Sequence, residues 1–482
     1  MKNLKVILFC LIFFTSNNLF AQKDYCISCH KDLDDNPSRL FMNDVHMKAG
    51  LSCKDCHGGD ASKEDMDAAM NKSTGFRGVP KGDRISEICA NCHSNKTYIM
   101  KFSSAISTNQ LEELKSSAHG KLSINGKDRI LQCTNCHNAH GIKKKNDPTS
   151  SVYPVNIPST CTKCHNNADY MKNYNSALPV DQLSKYRTSV HGVLNQKGNS
   201  KTAECASCHG SHNILSSKDV RSTVYKLNIP GTCSKCHSDN EYMKQFNIPT
   251  NQFAKYRNSV HGKAVFEKQE LSAPVCNDCH GNHGATPPGI TSISNVCGNC
   301  HVLNSQLFSE SPHKKAFDQM KYPECETCHG NHEILIAKDK LLGVKEGAVC
   351  LQCHSETKNS SGYFVAKMMS NTIDSLIIYD SIAQKLIFQA EQKGMEIEDA
   401  KFMLRDVHQA RLQARTIIHS FNENKFKEVT NKGMTSAKYV ISDAKDAIHE
   451  YSYRRYGLGV ATLTISLLIL GLFIYIKRIE KK

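Results

Sequence analysis

The chain has 482 residues, of which only 39% are hydrophobic; an ordinary globular protein has roughly 45–50%, so something besides side chains must help fill the core. Twenty-three cysteines and 23 histidines with no tryptophan exclude an ordinary cytosolic α/β enzyme, and so many thiols are not left free in any oxidising compartment. The formal charge of +15, from 61 Lys and Arg against 46 Asp and Glu, taken alone points to nucleic acid or anionic lipid.

At the start of the chain, Lys2 and Lys5 precede the short apolar run Val6 to Phe14, and Leu19-Phe20-Ala21 offers a small-residue cleavage site. This pattern predicts a signal peptide over 1–21 and a mature chain beginning at Gln22. Cys10 leaves with the signal, and 22 cysteines remain.

All 22 fall in one motif, Cys-x-x-Cys-His, repeated eleven times. The first four copies are Cys26, Cys29 and His30; Cys53, Cys56 and His57; Cys89, Cys92 and His93; and Cys133, Cys136 and His137. The next four are Cys161, Cys164 and His165; Cys205, Cys208 and His209; Cys233, Cys236 and His237; and Cys276, Cys279 and His280. The last three are Cys297, Cys300 and His301; Cys325, Cys328 and His329; and Cys350, Cys353 and His354. Two thiols three positions apart on one turn can form thioethers to both vinyl groups of a haem, and the adjacent imidazole then ligates the iron from that face. Zinc sites and disulfides also use paired cysteines, but neither needs a histidine after every second one. The reading is therefore eleven covalently bound haem c groups.

Residues 22–355 allow each haem about 30 residues, too few for an independent packed fold, so the haems must pack against one another. They also change the charge. Without Lys2 and Lys5 the protein falls from +15 to +13, and about twenty-two propionates set against about eleven ferric centres bring the oxidised holoprotein near neutral. Nucleic acid then has no support as a partner.

Repeats of about 70 residues are visible, as in KYRNSVHG (255–262) against KYRTSVHG (185–192). Each of five units runs from a leading histidine to two successive motifs, and one extra motif, ending at His30, precedes them all. The leading histidines are His46, His119, His191, His261 and His313. Four units carry another histidine three positions after their first motif, namely His140, His212, His283 and His332, whereas the first unit has Asp60 there. These nine are read as second axial ligands. Those of the second group cannot reach the far face of the haem bound three residues earlier, so each is expected to ligate a neighbouring haem.

From Gly362 to Tyr456 there is no Cys or Pro, and apolar residues recur at helical spacing. Val365, Met368, Met369, Ile373, Leu376, Ile377, Leu386 and Ile387 form one stripe; Met403, Leu404, Val407, Ala414, Ile417, Ile418 and Phe421 form another. Two or three long helices are predicted, with breaks near Lys393-Gly394 and Asn422–Asn424. On an unbroken helix His408 and His419 would share a face about 16 Å apart, and both are taken as further axial ligands. His449 is a weaker candidate. Gly457 to Ile476 is twenty residues without a charge, about 30 Å as a helix, and is predicted to span a bilayer. Lys477, Arg478, Lys481 and Lys482 after it outnumber Arg454 and Arg455 before it, which puts the tail in the cytoplasm and the rest outside.

Over residues 26–354 the motif array resembles the multihaem c-type cytochromes with doubled CxxCH motifs, of the class III kind and of the periplasmic decahaem conduits. The helices that follow are similar to those of the octahaem tetrathionate reductase and hydroxylamine oxidoreductase families and of cytochrome c nitrite reductase. Those are enzymes with an open iron; the CxxCK motif typical of the nitrite reductases is missing here.

The expected fold is mainly α with much irregular coil: a multihaem array packed around covalent haems over 22–358, a helical bundle over 359–456, a transmembrane helix over 457–476 and a cytoplasmic tail over 477–482. The expected role is that of a membrane-anchored, exported cytochrome that relays electrons during respiration. Its expected partners are a quinol-oxidising membrane subunit or another membrane redox protein, periplasmic or outer-membrane cytochromes, and the lipid bilayer. No catalytic residue is assigned. The alternative is a reductase or oxidase of a small nitrogen or sulfur compound at one open haem.

Overall fold

A computed structural model describes residues 24–284, 293–356 and 360–481. The expected signal peptide, 1–21, and the expected domain boundary at 358 lie outside them. The described chain is mainly helical with long irregular stretches; it contains no strand, only an isolated antiparallel bridge between Leu122 and Arg129. By its internal contacts it divides into two units, Met1–Cys233 with Asn282–Ala285, and Ser234–Gly281 with Thr286–Lys482.

The first unit consists of short helices joined by turns. Among its described residues, and leaving proline aside, Ala61, Ile99, Met171 and Leu215 are the buried hydrophobic side chains. More of its buried side chains are polar, including Ser38, Asp44, Ser86, Ser117, Gln132, Ser189 and Glu204. Side chains alone do not make a core there.

The second unit continues the same pattern and then changes to three long helices, Ser360–Gln392, Glu398–Ile417 and Glu423–Glu480. The first ends one residue before Lys393-Gly394, and Gly394 takes a left-handed φ of 69°. The third begins after Asn422, whose side chain accepts from the amides of Asn424 and Lys425 and caps the helix. The stripes seen in the sequence face inward: Met369, Ile373, Leu376, Ile387, Val407 and Ala414 are buried, and Val365, Met368, Ile377, Leu386, Met403 and Leu404 pack at the edges. Alanines let the helices approach closely at Ala383, Ala390, Ala400, Ala410, Ala437 and Ala444. Gly433 is a point of close approach, since a Cβ there would meet that of Ala410 at 2.5 Å.

The third helix runs on for 58 residues, so the expected boundary between bundle and membrane segment falls inside one continuous helix. It is long and apolar enough to cross a membrane, and none of its most apolar stretch is buried.

Candidate haem-binding site

The short helices exist to present the motifs. Cys53–His57, Cys133–His137, Cys205–His209 and Cys276–His280 are single turns that start on the first cysteine and stop on the histidine. Such a turn frays in isolation, and here the residue before the second cysteine holds it. Asp55 accepts from the Ser52 amide at 2.6 Å, Asn135 from Gln132 at 2.6 Å, Ser207 from Glu204 at 3.2 Å and Asp278 from Val275 at 2.7 Å. Asp83–His93 and Ile157–His165 are longer and only end on the motif.

The leading histidines are held by a device that the sequence reading missed. Two positions before each stands a buried Asp or Ser: Asp44, Ser117, Ser189, Ser259 and Ser311. The Asp44 carboxylate accepts from the His46 amide and lies 2.9 Å from His46 Nδ1. Burial alone would raise the Asp44 carboxyl, but the bonds from His46 and Ile142 outweigh it and keep it low. Ser117 Oγ accepts from the amides of His119 and Gly120, and Ser189 and Ser259 cap the amides of Gly192 and Gly262. The glycine after the histidine is a steric requirement in these three units, because a Cβ at Gly120, Gly192 or Gly262 would lie 1.9–2.0 Å from a carbonyl oxygen of the preceding helix. The recurrent D/S-x-His spacing was the available signal.

Motif histidines from His57 onward face a second imidazole, in two geometric classes. The first motif of a unit faces a histidine from beyond that unit: His57 faces His140, His137 faces His212, His209 faces His283 and His280 faces His332, at 5.9–6.1 Å between ring centroids and with planes 6–20° apart. The second motif faces its own leading histidine. His46–His93, His119–His165, His261–His301 and His313–His354 stand 5.8–6.3 Å apart with planes 34–88° apart. His191 holds the corresponding place in its repeat.

That spacing tests the fit of a haem. Two metal–imidazole bonds of about 2 Å each, with the rings' centroids about 1.1 Å behind their nitrogens, add to about 6.2 Å. The imidazoles must also be neutral to donate to a metal. Burial, together with the neighbouring ring, pushes His119 down to about 4 and lowers His93, His137, His209 and His313 in the same way.

The thiols follow the chain order. Cys26 lies close enough to Cys53 to raise its thiol further, after burial and Asp24, and Cys92 acts likewise on Cys56. Cys133 lies close enough to Cys89 to push its thiol up, as Cys205 does for Cys161 and Cys297 for Cys325. Cys136 neighbours Cys164, Cys279 neighbours Cys297 and Cys328 neighbours Cys350. Successive motifs are thus spatial neighbours within each unit. Among the described residues no three His, Cys, Asp or Glu converge as zinc would require, and the motif cysteines form no disulfide.

The candidates from the helices separate. The second long helix ends at Ile417, a 3-10 turn follows, and Phe421 adopts a left-handed φ of 46°, so His408 and His419 do not share the single helical face expected for them. His419 faces His329 at 6.1 Å with planes 23° apart, while its Nδ1 bonds the Thr416 carbonyl. It does for the last unit what the next unit's histidine does for the others. His408 is placed elsewhere: its Nε2, the nitrogen expected on iron, lies 2.9 Å from the buried carboxylate of Asp380 and 3.1 Å from Gln384. His449 is exposed on the third helix.

Three family models match the chain. The cytochrome c3 model covers residues 45–166, the doubled CXXCH motif model 316–359, and the model for cytochrome c554 and c-prime 14–58. No curated protein and no solved structure matches it. The three segments lie on the motif array, and the facing imidazoles leave the width that an axially ligated iron needs; the chain is a multihaem c-type cytochrome, with covalently bound haem c and a role in electron transfer.

Proposed function

We propose that the protein carries eleven haems, one for each motif, and relays electrons between the membrane quinol pool, or a membrane redox partner, and periplasmic or outer-membrane cytochromes. The observation that carries this reading is the succession of neighbouring motif thiols from Cys26 to Cys205 in one unit and from Cys279 to Cys353 in the other. Each haem supplies a one-electron carrier, and where imidazoles face one another across a haem they keep its potential low and its iron closed to substrate. The chain's own residues do the rest: thioether cysteines fix the macrocycle, Asp44 and the capping serines set the direction of the leading imidazoles, and facing histidines tie each unit to the next.

The apolar end of the Glu423–Glu480 helix is the proposed anchor in the cytoplasmic membrane, with the haem region in the periplasm and the signal peptide as its route there. Two measurements test the reading. The intact mass of the mature protein should exceed that of its chain by eleven haems, and a chain stopped after Tyr456 should leave the membrane fraction for the soluble periplasmic one. A mass short of eleven haems refutes the count, and a truncated protein that stays with washed membranes refutes the anchor.

The reading of a reductase or oxidase acting on a small nitrogen or sulfur compound keeps one favourable observation, the environment of His30.

A further inference from the structure

The pattern of facing histidines has a rule, and the rule breaks at one iron. The histidine three positions after the first motif of a unit faces the first-motif histidine of the unit before it: His140 faces His57, His212 faces His137, His283 faces His209 and His332 faces His280. Applied one step earlier, the rule assigns the corresponding residue of the first unit to the lone leading motif, Cys26 to His30. That residue is Asp60. The loop that carries it is in place, because the Tyr25 amide at the head of the first motif helix bonds the Ala61 carbonyl at 2.9 Å. The Asp60 carboxylate is turned to its own loop, where it accepts from the Ser62 amide at 3.0 Å and the Ser62 hydroxyl at 2.6 Å. Among the described histidines of its own unit none faces His30, and His46, His57, His93, His119, His137, His140, His165, His209, His212 and His283 are paired with one another.

His30 also differs in what stands behind it. Its Nδ1 is in direct contact with the Asp35 carboxylate, whereas His57 Nδ1 bonds the Gly78 carbonyl and His419 Nδ1 that of Thr416. Asp35 is itself fixed by the Ser38 amide at 2.9 Å. A carboxylate behind a metal-ligating imidazole makes it a stronger donor; Asp44 does this for His46 opposite a second imidazole, whereas at His30 the push falls on whatever ligand binds across the macrocycle. The His30 side chain is 46% exposed, so the site is at the surface.

We propose that the first haem, held by Cys26, Cys29 and His30, is open on its far face and binds a small neutral oxygen or nitrogen donor, such as hydroxylamine, in the place that a histidine fills at the other haems. Neutral ligands are favoured over oxyanions because Asp24 adjoins the first cysteine and Asp60 lies on the loop bonded to the head of that helix, with Lys54 and Lys63 offsetting only part of the negative charge an incoming anion meets. The closed haems that follow make this iron the terminal member of the array, a position from which electrons can be delivered to, or taken from, a bound ligand. The inference deepens the proposed function and rests on its haem assignment.

The test uses the purified full-length holoprotein in detergent. Its mass gives the haem number, so a failure of the haem assignment is seen separately from a failure of the open site. Low-temperature EPR of the ferric protein should show a high-spin signal of about one haem equivalent, converted to low spin by hydroxylamine and only weakly by nitrite. Asp60→His supplies the missing imidazole; it should abolish both the high-spin signal and its response to hydroxylamine while the haem number stays at eleven. Asp60→Asn should keep the high-spin signal and bring nitrite binding closer to that of hydroxylamine. Eleven haems that are all low-spin in the unaltered protein would overturn the proposal, as would a high-spin signal that Asp60→His leaves untouched. Nitrite binding more tightly than hydroxylamine would overturn the choice of ligand.

Discussion

The motif region and the bundle that follows it solve the problem of a core in opposite ways. In the bundle, three helices bury Leu376, Val407, Phe426 and Val440 completely, and side-chain packing is sufficient. In the motif region helices of five residues stop at the point where a cofactor must attach, and serines and carboxylates are buried where leucines would be elsewhere. The comparison teaches that burial here serves two ends. Apolar burial in the bundle stabilises a fold, whereas polar burial around the motifs aims imidazoles at gaps that a haem fills.

The largest test of that contrast is to withhold haem attachment. Without it, residues 24–356 should lose most of their ordered structure and fall to protease, while the three long helices persist; limited proteolysis with mass mapping and far-ultraviolet circular dichroism would follow both. A motif region that stays folded without haem would break the comparison. Within the bundle, Leu376→Ala should cost about 2–5 kcal/mol by leaving a cavity, and Gly433→Ala about 1–3 kcal/mol by forcing the helices apart. Both are read by thermal melts of the helical signal, and the absorbance of haems bound within residues 24–233 should be unaffected.

A narrower test joins the two regions. His419→Ala should release the iron of His329 and add about one haem equivalent of high-spin signal, whereas His408→Ala should add none, because His408 is bonded to Asp380 and Gln384. Equal effects of the two would contradict the division of roles between them. The planes of the facing rings give a further check, since near-parallel pairs such as His209–His283 and near-perpendicular ones such as His46–His93 should yield two families of low-spin EPR signal.

The smallest expected effect is on acid stability. Burial works to raise the Asp83 carboxyl, but the Arg129 amide, the Gln132 side chain and the Arg129 charge together lower it. A carboxyl lower in the folded chain than in the unfolded one contributes stability that is complete above about pH 4 and is lost as the pH falls through its folded value. Asp83→Asn should therefore lower the melting temperature slightly at neutral pH, a difference that shrinks as acid protonates the folded carboxyl.

Much of this was legible in the sequence because covalent chemistry and periodicity are local. Thioether attachment fixes both cysteines and the adjacent histidine at one spacing, and apolar stripes at helical intervals announce the bundle. The leading histidines were legible through repetition. The direction of the second set was not: that His140 faces His57, across the whole intervening motif ending at His93, depends on how the units stack. Nor was the separation of His408 from His419, which a left-handed Phe421 and a 3-10 turn produce where an unbroken helix was expected. The buried Asp or Ser two residues before each leading histidine was present in the sequence, but its meaning emerged only when those side chains were found buried and, at Asp44, Ser117, Ser189 and Ser259, bonded to the backbone amides that begin the turn.

The sequence by itself determined which residues make up the Cys-x-x-Cys-His motifs, how many motifs there are, and that a helical segment with one long apolar helix follows them. Those are matters of bond-forming residues at fixed spacing and of hydrophobic period, which need no knowledge of distant contacts. The tertiary structure alone decided which imidazole faces which, that the rings meet in near-parallel and crossed classes, and that His30, in the lone first motif, has a carboxylate behind it and faces no described imidazole of its own unit. Axial pairing is set by residues that approach in space from far apart in the chain, and no local spacing encodes such an approach.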